Sequence, residues 1–106
     1  MSIKGESIPS TMKALVAYSK DEYKLETAYP TPECGPDDII IKTDACGICA
    51  GDLKCYHGAA MFWGDEVQPS WVKPPFIPGH EFYGTIVQMG ENVEGYEIGE
   101  KIIINP

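Results

Sequence analysis

The sequence contains no arginine, and its basic residues are eight lysines set against sixteen aspartates and glutamates. The formal net charge of −8 at pH 7 would repel nucleic acid and anionic membrane surfaces. No apolar run approaches the roughly 20 residues that a membrane-spanning helix needs. We therefore expect neither nucleic acid nor a membrane among the partners of this chain.

The N-terminal stretch MSIKGESIPST lacks the apolar core of a secretory signal. We interpret residues 1–11 as a flexible polar lead-in and expect residues 12–106 to form one small domain. Without a secretion signal, a cytoplasmic location is expected, where thiols stay reduced. Clustered cysteines in that setting more often bind metal or do chemistry than form disulfides.

The composition favours many short elements. The chain is 43% hydrophobic and 10% aromatic, so it should fold, and its eleven glycines and nine prolines argue against a helical bundle. Runs of β-branched and apolar residues between turn signals predict strands, and they indicate an all-β barrel or sandwich. The predicted strands are Met12–Tyr18, Tyr23–Tyr29, Asp38–Asp44, Phe82–Met89 and Lys101–Asn105.

Two segments lie outside this strand pattern. Residues 51–57 lack β-branched side chains and predict a turn of helix. Residues 59–75 hold two tryptophans and three prolines without a clear period, which predicts a long surface loop. Loops of that length in compact domains usually carry function.

The segment CGICAGDLKCYHG, residues 46–58, is rich in groups that bind metal or react. Cys46 and Cys49 have the C-x-x-C spacing, but a redox pair would need a surrounding βαβ unit, which the pattern does not predict. A structural four-cysteine zinc site would need a second C-x-x-C, whereas Cys34 and Cys55 stand alone. Both interpretations are therefore unfavoured.

A second informative segment is PGHEFYG, residues 78–84. His80 is a candidate metal ligand, with Glu81 beside it, and Zn²⁺ accepts thiolate, imidazole and carboxylate together. A single histidine before a strand is also often a satisfied polar side chain. Spacing alone leaves these two alternatives open.

The segment GHEFYGTIVQMGENV, residues 79–93, resembles the signature G-H-E-x-x-G-x-x-x-x-x-G-x-x-V of the zinc-dependent medium-chain alcohol and polyol dehydrogenases. CGICAGD resembles the G-I-C-x-x-D segment of the same family, and MKALV and GYEIGEKI follow in family order. The chain looks closest to the branch of erythritol and L-threitol dehydrogenases. The resemblance implies the N-terminal catalytic domain, a GroES-like, partly open β-barrel.

The resemblance also implies roles for individual residues. Cys49 and His80 would bind a catalytic zinc, and Glu81 would be either a ligand or a close neighbour of the metal. Asp52 would hydrogen-bond a ligand and hold its orientation. Cys46 would be structural. The family reaction is hydride transfer between an alcohol carbon and a nicotinamide ring, with zinc acting as Lewis acid on the hydroxyl oxygen.

The proton relay departs from the family pattern. Many relatives have serine or threonine where this chain has Gly51, and histidine where it has Lys54. Water, Lys54 or His57 would then move the proton, and the alternative for His57, which we favour, is a surface position or a role in bracing the loop. Cys55 is expected to pack as a small apolar group.

The long loop would border the substrate cleft. Trp63 and Trp71 are candidates for its wall, and Asp65 or Glu66 could bind the hydroxyls of a polyol. The simpler interpretation of each residue is that the tryptophans pin the loop and the acids are solvated.

Three glycines of the signature have expected structural tasks. Gly79 would allow a sharp turn into the strand that follows. Gly84 would leave room for a neighbouring backbone or a bulge. Gly90 would fit a tight turn with positive φ.

No G-x-G-x-x-G fingerprint occurs, so NAD or NADP is expected only in a full-length enzyme. The structural-zinc lobe and the cofactor domain are expected to be missing from these residues. The isolated chain should therefore be inactive and hold zinc weakly, whereas a full-length homo-dimer or homo-tetramer would oxidise an alcohol or polyol. Two alternatives stay open: a chaperonin-10-like assembly module and a small zinc-binding protein.

Overall fold

The computed structural model describes residues 3–104. The predicted strand end at Asn105 and the first two residues of the predicted lead-in lie outside the described residues. In chain order, the elements are β1 (Lys4–Gly5), β2 (Thr11–Ser19), β3 (Glu22–Pro30), β4 (Ile39–Gly47), α1 (Ala50–Tyr56), α2 (Ala60–Trp63), β5 (Glu81–Met89) and β6 (Lys101–Ile103).

Strands dominate, and the predicted all-β class is confirmed. The described strands form one sheet of four strands and one of two. The chain divides into two compact units. The sheet unit comprises the described residues 3–11, 30–47 and 80–104, and the hairpin–helix unit comprises residues 12–29 and 48–79. No helix in the described part of the chain has the length and apolarity to cross a membrane.

The sheet unit is organised around β5. Its neighbours β1, β4 and β6 are all antiparallel to it, and the ladder between β4 and β5 runs from Ile39 opposite Met89 to Gly47 opposite Glu81. Ile86 is fully buried and Met89 nearly so. They lie opposite Ile41 and Ile39, which share a face of β4, because the ladder shifts register between Ile40 and Ile41 and so interrupts the alternation of β5.

Two signature glycines lie at close backbone approaches in this unit. A Cβ at Gly84 would collide with the carbonyl oxygen of Lys42, and the ladder shifts register at this level, so the predicted close approach and bulge are both present. A Cβ at Gly90 would collide with the backbone of Gly35 and Pro36. The prediction of a positive φ at Gly90 was wrong. Glycine is required at this position because the neighbouring backbone leaves no room for a side chain.

Part of the predicted flexible lead-in is paired. Lys4 and Gly5 form β1 opposite Met89 and Gln88, and the amide of Glu6 donates to the carbonyl oxygen of Val87 over 2.9 Å. The sequence of this segment did not predict a strand. Pairing with the edge of an existing strand requires backbone hydrogen-bond donors and acceptors, which every such segment has, rather than apolar side chains.

The hairpin–helix unit begins with β2 and β3, which pair across the two-residue turn Lys20–Asp21. Asp21 takes a positive φ of 56°, which aspartate tolerates better than most residues. Val16 and Ala17 of β2 are fully buried. The backbone of Ala17 also exchanges hydrogen bonds with Phe76 at 2.8 and 3.2 Å, which ties the long loop to the hairpin.

The long loop is braced from within. It contains α2, which the sequence did not predict, and the amides of Trp71 and Val72 both donate to the carbonyl oxygen of Phe62, at 2.9 and 3.0 Å. Asp65 accepts from the amides of Val67 and Gln68 through one carboxylate oxygen. These two backbone donors lower the pKa of Asp65.

Candidate functional site

His80 and Glu81 lie at the start of β5, in the sheet unit. Gly79, which precedes them, has a φ of 121°, a conformation open to glycine, so the predicted sharp turn is present. His80 Nε2 lies 4.0 Å from Glu81 Oε1, and both side chains are about half exposed. The imidazole and the carboxylate are therefore neighbours at the point where Glu81 pairs with Gly47.

Cys49 and Asp52 lie together at the first turn of α1, in the hairpin–helix unit. Cys49 is the N-cap residue with an extended backbone, and its amide donates to Asp52 Oδ2 over 3.0 Å. Such a capping carboxylate satisfies an amide that the helix leaves without an internal partner. Asp52 thus fixes the backbone that carries the Cys49 thiol.

The other three cysteines have distinct environments. Cys46 is exposed on β4 and pairs with Phe82 across the ladder. Cys55 is buried in α1, which confirms its predicted packing as a small apolar group. Cys34 is buried in the sheet unit, and loss of hydration raises the pKa of its thiol.

The two relay candidates lie at the C-terminal end of α1. Lys54 is exposed in the last turn. His57 Nδ1 lies 3.3 Å from Asp21 Oδ1, and the His57 ring stacks edge-on against Tyr56. The amide of Asp21 also donates to the carbonyl oxygen of Tyr56 over 2.8 Å. The described contacts of His57 are those of a residue that braces the β2–β3 turn against the helix.

Sequence reasoning missed Asp21 and Tyr23, which support α1 from the hairpin. Tyr23 stacks edge-on against Tyr56 with ring centroids 4.8 Å apart, and burial raises the pKa of its phenol. Its hydroxyl oxygen is buried without a hydrogen-bond partner in the described structure. No local pattern could have indicated these contacts, because more than thirty residues separate the partners.

The structure separates the roles of the two tryptophans. The indole N–H of Trp63 donates to the carbonyl oxygen of Cys55 over 2.6 Å, so Trp63 pins the loop to α1. Trp71 is 75% exposed and leans on Phe62 with ring centroids 6.2 Å apart. Asp65 holds the loop's own turn, and Glu66 is exposed.

The comparisons with known proteins agree with the sequence signature. A family profile described as "Alcohol dehydrogenase GroES-like domain" matches residues 35–106. The chain is 41% identical over 99 residues to "Erythritol/L-threitol dehydrogenase" of Mycolicibacterium smegmatis, covering 91% of this chain and 27% of the relative.

Solved structures that resemble the chain are also named as dehydrogenases. The chain matches "2R,3R-butanediol dehydrogenase" from Bacillus subtilis with a TM-score of 0.77 at 32% identity, covering 91% of this chain and 28% of that one. It also matches a structure from Sinorhizobium meliloti 1021, named as a zinc-binding dehydrogenase bound to NADP, with a TM-score of 0.71 at 34% identity, covering 88% and 24%. The chain therefore spans about a quarter of the length of the relatives that it matches.

Proposed function

Since the chain belongs to the alcohol dehydrogenase GroES-like domain family, we propose that it is the zinc- and substrate-binding part of a zinc-dependent NAD(P) dehydrogenase. Relatives named for erythritol, L-threitol and butanediol support an alcohol or polyol as the substrate class. A structural relative solved with NADP supports a nicotinamide cofactor in the longer protein. Because the named relatives are dehydrogenases, they favour this proposal over a chaperonin-10-like module.

We propose Cys49, His80 and Glu81 as the zinc-binding residues. They offer a thiolate, an imidazole nitrogen and a carboxylate oxygen, a donor set that suits zinc. When bound, zinc would supply a Lewis acid for the hydroxyl oxygen of the substrate. Glu81 would act as a ligand or as an alternating neighbour of the metal.

One observation within the sheet unit carries this assignment. β4 ends at Gly47 directly opposite Glu81, where β5 begins. Cys49 follows Gly47 by two residues, and two residues of chain span at most about 7 Å. Chain connectivity alone thus keeps the backbone of Cys49 near the ladder end at which His80 and Glu81 lie.

Three further residues of the candidate site would position a zinc ligand or move a proton. Asp52 would hold the Cys49 backbone through the hydrogen bond to its amide. Lys54 and His57 stay candidates for the proton relay, and the contacts of His57 with Asp21 favour bracing over proton transfer. For the longer protein, we propose a cytoplasmic homo-dimer or homo-tetramer.

Cobalt binding tests the ligand assignment, because a thiolate ligand gives Co²⁺ a charge-transfer band that oxygen and nitrogen ligands do not. We expect the chain to develop this band on titration with Co²⁺. Cys49→Ser should abolish the band. His80→Ala should weaken binding at least roughly tenfold, because the loss of even an outer-shell partner of a metal site costs about 10- to 100-fold in affinity.

The chain offers a matched control for each substitution. Cys46→Ser removes the other cysteine of the C-x-x-C pair, and His57→Ala removes the other histidine, so both should leave the cobalt spectrum unchanged. A band that survives Cys49→Ser, or that disappears in Cys46→Ser, would contradict the assignment.

A second measurement concerns activity. We expect no NAD- or NADP-dependent oxidation of erythritol by the 106-residue chain, since its sequence holds no dinucleotide fingerprint. The absorbance of reduced nicotinamide reports turnover directly. Sustained turnover by the pure chain would overturn the view that cofactor binding requires further residues.

A further inference from the structure

Gly47 is the last residue of β4, and its backbone does not require glycine. It pairs with Glu81 in the antiparallel ladder, and its φ lies outside the left-handed region that favours glycine. Glycine within a strand costs stability because it has no side chain to pack, and it often marks a place that another group approaches closely. We therefore looked for the group that uses the space beside Gly47.

That group is the carboxylate of Glu81. A Cβ at Gly47 would lie 3.2 Å from Glu81 Oε2 and 3.6 Å from Glu81 Cβ, so the two positions share one face of the ladder. The other carboxylate oxygen, Oε1, lies 4.0 Å from His80 Nε2. The carboxylate thus lies over Gly47 with one oxygen and faces the imidazole with the other.

A β-bulge decides which residue of β4 stands opposite Glu81. The ladder has one extra residue on β4, Asp44, ahead of Gly47. Without that residue, Cys46 would stand opposite Glu81, and its side chain would occupy the space that Gly47 leaves open. The alternation of β4 instead turns Cys46 to the opposite face, where it pairs with Phe82.

Side-chain contacts hold the bulge in place. Asp44 Oδ2 accepts hydrogen bonds from Thr85 Oγ1 over 3.0 Å and from Lys101 Nζ over 3.1 Å. These bonds connect the bulge of β4 to β5 and β6. The register that brings Gly47 to Glu81 is therefore supported by contacts away from the candidate metal ligands.

We propose that Gly47 is a positioning residue for Glu81, because the absence of a side chain lets the carboxylate lie across the end of the ladder beside His80. The role rests on the zinc assignment above and deepens it by naming what holds the carboxylate. Glu81 is about half exposed, so burial does not fix its orientation. Metal sites hold ligand distances to within about 0.2 Å, so a small displacement of this carboxylate matters.

Gly47→Ala tests this role through cobalt binding to the 106-residue chain. The added methyl group would push Glu81 Oε2 away by a few tenths of an ångström. We expect the affinity for Co²⁺ to fall roughly tenfold, as for the loss of an outer partner of a metal site. The d–d bands, which report coordination geometry, should change, whereas the thiolate band from Cys49 should persist at saturation.

A double-mutant cycle separates positioning from a general structural effect. In a Glu81→Ala background there is no carboxylate for the new methyl group to displace, so Gly47→Ala should cost less than about twofold in Co²⁺ affinity. An effect on the backbone that leads to Cys49 would instead cost the same in both backgrounds.

Two controls accompany the cycle. Cys46→Ala introduces a β-carbon methyl group at the neighbouring position on the opposite face, and it should leave Co²⁺ affinity and the d–d bands unchanged. The metal-free Gly47→Ala chain should unfold no more than about 4 °C below the parent, because the carboxylate moves and the backbone does not.

Equal losses of affinity in the two backgrounds would overturn the proposal, and so would parent-like cobalt binding by Gly47→Ala. A Gly47→Ala chain that fails to fold also overturns it, because the backbone and not the carboxylate would then need the space. A parent chain that binds no Co²⁺ would refute the zinc assignment together with this role. Cobalt binding by the parent with an additive cycle would refute the role of Gly47 alone.

Discussion

Trp63 donates its indole N–H to the carbonyl oxygen of Cys55 over 2.6 Å, and this bond joins α2 to α1. The Trp63 ring also packs against Phe76 with centroids 5.8 Å apart, and Phe76 is in turn paired with Ala17 of β2. One side chain thus connects the long loop to both the helix and the hairpin. This anchor adds to α2 and to the backbone hydrogen bonds that brace the loop from within.

Replacing Trp63 with phenylalanine should destabilise the fold by about 1–2 kcal/mol, because the hydrogen bond and part of the ring packing are lost. The matched control is Trp71→Phe, for which we expect a change within about 0.5 kcal/mol, since Trp71 is mostly exposed. Urea unfolding of both variants measures the difference. Equal destabilisation by the two substitutions would contradict the anchoring role of Trp63.

Tyr23→Phe should leave the stability unchanged or raise it by up to about 1 kcal/mol. The Tyr23 hydroxyl is buried without a hydrogen-bond partner in the described structure, and its neighbour Cys55 carries a thiol, which is a weak acceptor. The ring contact with Tyr56 is kept in the variant. A loss of more than about 1 kcal/mol in urea unfolding would show that the hydroxyl has a strong partner.

Gly84→Ala should destabilise the sheet unit by about 1–3 kcal/mol or more. The added methyl group would collide with the carbonyl oxygen of Lys42, which the hydrogen bonds of the ladder hold in place. Gly47→Ala is the control on the same ladder, where the nearest atom is a movable Glu81 carboxylate oxygen at 3.2 Å. The midpoint temperature of thermal unfolding should be well below that of Gly47→Ala in the Gly84→Ala variant. The reverse order would refute the close approach at Gly84.

Asp44 should make a small, pH-dependent contribution to stability. Its hydrogen bonds from Lys101 and Thr85 lower its pKa below the ordinary value of 3.8. A lowered pKa in the folded state stabilises the protein above the unfolded pKa, and that contribution is lost as the pH falls through the folded pKa. Asp44→Asn should therefore flatten the loss of stability below about pH 4. An unchanged acid profile in the variant would argue against the shift.

Much of the architecture could be predicted from local patterns. The strands at Met12–Tyr18, Tyr23–Tyr29 and Phe82–Met89 lie within β2, β3 and β5, and the predicted turn of helix is α1. β-branched alternation and turn residues act over a few neighbours, so they are visible in the sequence. Strand β1 was missed because it pairs with Gln88 and Met89, which are distant in sequence. Helix α2 was missed because its four residues are too few to show a helical period.

The sequence by itself determined the family, the strand-rich class and the candidate ligands Cys49, His80 and Glu81, because these follow from residue identity and spacing along the chain. Only the tertiary structure decided which tryptophan is an anchor and that His57 lies against Asp21. The physical reason is that hydrogen bonds, burial and strand pairing depend on which distant residues become neighbours, and local sequence does not encode those neighbours.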